Sequence, residues 1–143
     1  MMTAAKLASV IPSNVDLSSE EREAVLETAL LAIASDGDVH RSEAAAFFAI
    51  ADRIKTNGTA LLERFQRRTR DGDPDKHLLD IASSLRTEAA RALAYRVAYV
   101  LSLADAEASD GEFEFDLQLI DALELPQAEA DRIVAEVDGA LKE

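Results

Sequence analysis

One short pattern occurs twice in this chain, and it constrains the fold more than any other feature. Ser35-Asp36-Gly37-Asp38-Val39 returns as Ser109-Asp110-Gly111-Glu112-Phe113, 74 positions later at each matched residue (110 against 36). Each copy follows a long Ala/Leu-rich run and precedes a shorter one. An offset of about half the 143 residues reads as an internal duplication, a helix–Asp-Gly turn–helix unit used twice. Elsewhere apolar residues recur at the helical period, and no stretch alternates with period two for long enough to make a strand. The expected fold is all-α, a compact bundle of seven or eight helices.

Local signals give the expected boundaries. Ser18 and Glu21 form a capping box that opens a helix running to about Ser35, with Val25, Leu26, Ala29, Leu30 and Ile33 facing inward. Gly37 then supplies the left-handed geometry that a helix C-terminus favours. A second helix is expected from about Arg41 to Lys55, presenting Ala44, Phe47, Phe48, Ala51 and Ile54. Asn57-Gly58 should stop it, and Thr59 should cap a third helix reaching about Arg70. Gly72 and Pro74 mark a loop, and a short helix over Asp75–Leu85 carries Leu78, Leu79 and Ile81. The run Thr87–Ser109 is the longest and is apolar almost all round, so it belongs at the centre. Arg91, Arg96, Asp105 and Glu107 interrupt it, and such charges are expensive at bilayer depth, which argues against a transmembrane segment. A short helix over Phe115–Leu123 follows. Pro126 opens the last one, with Ile133, Val134, Val137 and Leu141 inside. Residues 1–17 read as an N-terminal extension to a single domain, 18–143.

Charge narrows the partners. With 15 basic and 28 acidic residues the chain carries a formal charge of −13, a field that repels a phosphate backbone. Arg64, Arg67, Arg68 and Arg70 spread around a helix instead of forming one stripe, so the expected partner is a protein and not a nucleic acid. The chain has no Cys, which removes disulfides, thiolate metal sites and Cys nucleophiles, and fits a reducing, cytoplasmic compartment. Met1–Ile11 holds one Lys and no sustained apolar core, unlike a secretory signal. No catalytic motif surrounds His40 or His77, and neither a Gly-x-Ser-x-Gly elbow nor a phosphate-binding Gly loop occurs, so the chain is read as a non-enzyme without an organic cofactor. Tyr95 and Tyr99, four apart, share a helix face; they either pack with their hydroxyls at the rim or line a ligand pocket.

The Asp-Gly turns carry the chemistry. Asp36-Gly37-Asp38-Val39 with Glu43 reproduces the second half of an EF-hand loop, but Ala32 and Ala34 stand where its first ligands should be, so an ordinary EF-hand is rejected. If the halves pack about a pseudo-twofold axis, Asp36, Asp38 and Glu43 approach Asp110, Glu112 and Asp116. Six carboxylates so placed repel one another, and a hard divalent cation (calcium, magnesium or manganese) relieves the repulsion. A second account needs no ion. Gly37 and Gly111 end helices, Val39 and Phe113 plug the gap between helices, and Glu43 complements a helix N-terminus.

These residues resemble the TerB-like family associated with tellurite resistance. The first half carries the likeness through Leu30-Leu31-Ala32-Ile33-Ala34-Ser35-Asp36-Gly37-Asp38-Val39 and Glu43. The second carries it through Ala104-Asp105 and Asp110-Gly111-Glu112-Phe113, and Leu123-Glu124-Leu125-Pro126 is similar to the link before the family's final helix. The chain departs from the pattern at Leu117, which stands where the second Glu is expected, and at Ser35 and Ser109, where Ala is usual. The resemblance spans roughly Glu20 to Leu141. It implies a duplicated all-helical, cytoplasmic, non-catalytic domain of the stress response that binds a divalent metal through its acidic turns. The alternative is a protein-interaction adaptor whose acidic turns are purely structural.

Overall fold

Side-chain caps and left-handed residues set where the helices of this chain begin and end. The computed structural model describes residues 4–12, 16–33, 41–71, 79–102 and 116–141. In chain order the helices are α1 (Ala4–Ser9), α2 (Ser19–Ile33), α3 (Arg41–Arg53), α4 (Gly58–Asp71), a short segment α5 at 79–82, α6 (Glu88–Ser102), α7 (Asp116–Ala122) and α8 (Gln127–Leu141). The described residues form no strand, and none of their helices is long and apolar enough to cross a membrane. The all-α bundle expected from periodicity is therefore the fold.

Ser18 caps α2 as its spacing demands: its Oγ accepts the Glu21 N–H at 3.1 Å. Thr87 does the same for α6, accepting the Ala90 N–H at 3.1 Å. The two helices they open form the most extensive helix–helix contact among the described residues. The centre is thus a pair, not α6 alone. Every residue from Ala24 to Leu31 in α2 is buried, as are Ala90, Leu93, Ala94, Tyr95, Val97, Ala98, Val100 and Leu101 of α6. Three of those eight α6 residues are alanines, which lets the helix axes approach closely. Thr28, wholly buried, is satisfied by donating to the Ala24 carbonyl at 2.8 Å.

Two helix ends differ from the sequence reading. α3 stops at Arg53, not at Lys55, because Lys55 takes a left-handed conformation with φ of 61°. Thr56 N–H then bonds the Ala51 carbonyl at 2.8 Å and Lys55 N–H that of Asp52 at 3.1 Å, a Schellman closure without glycine. Asn57, not Thr59, caps α4: its Oδ1 accepts the Ala60 N–H at 3.1 Å. Gly58 accordingly begins α4 instead of ending α3. Two expected core residues face outward, since Phe48 is 36% and Leu79 62% exposed.

The N-terminal stretch belongs to the same core. Leu7, Ala8 and Ile11 are buried, α1 packs chiefly on α3, and Arg53 Nε donates to the Ile11 carbonyl.

The second half repeats the first half's punctuation. Glu124 has φ of 53°, Leu125 N–H bonds the Ile120 carbonyl at 3.0 Å, and Glu124 N–H bonds that of Asp121 at 3.1 Å, the Schellman pattern of Lys55 again. Caps at 18 and 87, left-handed residues at 55 and 124, and the starts of α4 at 58 and α8 at 127 all stand 69 positions apart. The Asp-Gly turns stand 74 apart. Relative to the first half, the second therefore carries five more residues before its Asp-Gly and five fewer after it.

Candidate functional site

Clefts open on the described surface in both halves. The first lies between α2, α4 and the 79–84 stretch, holds about 380 Å³, and is lined by Glu20, Glu23, Glu27, Arg64, Asp80 and Ser84 among others. Helical spacing puts Glu20, Glu23 and Glu27 on one side of α2. Arg64 on α4 meets two of them, with Nη2 donating to Glu23 Oε1 at 2.8 Å and to Glu27 Oε1 at 2.7 Å. Glu27 is only 5% exposed, and the Arg64 guanidinium is one partner that offsets the cost of burying its carboxylate. The hydrogen bond to Glu23, then that to Glu27, holds the Arg64 pKa above its ordinary value.

The second cleft lies between α6 and α8, holds about 480 Å³, and is lined by Tyr95, Tyr99, Gln127, Asp131, Val134, Ala135 and Asp138. Tyr95 is almost wholly buried and Tyr99 half-buried. The Tyr99 hydroxyl donates to Asp138 Oδ1 at 2.7 Å, and Gln127 Nε2 donates to Asp131 Oδ1 at 3.0 Å. The adjoining face of the same helices carries an ion-pair chain. Arg96 and Arg132 each donate to Glu136 at 2.6 Å, and Arg132 also bonds Glu129. The hydrogen bond from Arg96 lowers the Glu136 pKa, and that from Arg132 lowers the Glu129 pKa.

The residues singled out for metal binding fall mostly elsewhere. Asp36, Asp38, Asp110 and Glu112 lie outside the described residues, as do His40 and His77. Glu43 is the third residue of α3 and Asp116 the first of α7. Among the described residues no group of three or more His, Cys, Asp or Glu side chains could hold a metal ion.

The register of 69 adds residues that the repeated tetrad had hidden. It sets Asp36 opposite Asp105, Asp38 opposite Glu107, and Glu43 opposite Glu112. In that register an Asp has a Glu seven positions later in both halves (36 with 43, 105 with 112), whereas in the register of 74 Leu117 stands where the second Glu is expected. The signal was present in sequence as the matching caps Ser18 and Thr87, but the louder Asp-Gly repeat drew the alignment to 74. No family model matches this chain, and neither a curated protein nor a solved structure matches it.

Proposed function

We propose that this chain is a non-catalytic, cytoplasmic TerB-like module that binds a divalent cation through the carboxylates following its two central helices. One observation carries the reading. α2 and α6, the principal packing partners in the bundle, each lead into an acidic segment, and the register of their caps aligns an Asp-to-Glu spacing of seven in both (36 with 43, 105 with 112). The oxygen-only donor set suits calcium, magnesium or manganese.

Thermal unfolding of the full chain with each of the three ions provides the test. An ion at a hundred times its Kd stabilises the folded state by about 2.7 kcal/mol, a rise of several degrees in Tm. Asp36→Asn should remove most of that rise. Asp105→Asn and Asp110→Asn then distinguish the two registers, since the carboxylate that contributes is the one whose loss abolishes the response. An unchanged Tm at millimolar concentrations of all three ions would leave the acidic turns as structural devices of an interaction domain.

A further inference from the structure

We draw no further inference here: the strongest candidate, the cleft between α2, α4 and the 79–84 stretch lined by Glu20, Glu23, Glu27, Asp80 and Arg64, is an acidic cluster whose deeply buried carboxylate, Glu27, already bonds that arginine, and no second observation among the described residues points to a ligand for it.

Discussion

Residues 58 and 127 open helices that start 69 positions apart, yet the first is a buried glycine and the second an exposed glutamine. Around Gly58, α4 lies so close to α3 that a Cβ there would meet Ala51 Cβ and Phe48 Cδ1 at 3.0 Å and Phe47 Cε2 at 3.3 Å. Around Gln127 the side chain has room to line the α6–α8 cleft and bond Asp131. The same contrast runs through the charges. The first half buries Glu27 and neutralises it internally with Arg64, while the second keeps its Arg96–Glu136–Arg132 chain near solvent and leaves a tyrosine-floored cleft beside it. Similar punctuation therefore frames two different charge arrangements, one closed on itself and one open to solvent.

The sharpest way to break this comparison is to place one side chain at both positions. Gly58→Leu must push α4 away from Phe47 and Phe48, and overpacking of this kind destabilises by about 1–3 kcal/mol. Gln127→Leu, at an exposed position, should stay within about 0.5 kcal/mol. Urea unfolding of both variants measures the difference, and equal losses would mean that the halves are packed alike.

A smaller effect separates the two charge arrangements. Arg64→Met removes the guanidinium that bonds the Glu27 carboxylate at a site where water scarcely reaches it. The Arg64 side chain is itself 45% exposed, which tempers the loss to about 1–2 kcal/mol. Arg96→Met releases Glu136, whose side chain is 42% exposed and which keeps Arg132, so the change should fall below about 1 kcal/mol. A larger loss from Arg96→Met than from Arg64→Met, read from urea midpoints at constant slope, would reverse the assignment of closed and open halves.

Much of the frame was legible because it depends on local chemistry. The capping box at Ser18, the period of α2 and α6, and the inward positions Ile133, Val137 and Leu141 follow from residue type and spacing alone. What escaped depends on context. Nothing local says that Lys55 and Glu124 adopt left-handed backbone, since neither is Gly or Asn, and so α3 was drawn two residues too long. Asn57-Gly58 reads as a stop by composition, but tertiary approach makes the glycine a packing residue and the asparagine a cap. Leu79 fits an inward helical pattern and still lies outside, at 62% exposed. The clefts were legible only through Tyr95 and Tyr99, whose shared helix face offered a pocket without naming its other walls. Arg64 meeting Glu23 and Glu27, or Tyr99 meeting Asp138, joins residues about 40 positions apart, and only the folded arrangement brings them together.

The finest probe of the comparison acts where the halves agree. Lys55 and Glu124 each hold a non-glycine residue at positive φ, 61° and 53°, in the same closing turn. A Cβ in that region carries a steric cost of about 1–2 kcal/mol, and glycine removes it while adding about 0.5–1 kcal/mol of backbone entropy to the unfolded chain. Lys55→Gly and Glu124→Gly should therefore each stabilise the protein by a net amount of up to about 1 kcal/mol. If the register of 69 marks equivalent turns, the two gains should match. The sites share no partner among the described residues, so the double variant should gain their sum within about 0.5 kcal/mol. Differential unfolding of the two single variants and the double is the measurement. A gain at one site with a loss at the other would show that the shared punctuation hides unequal turns, and with it would go the alignment that pairs Asp36 with Asp105.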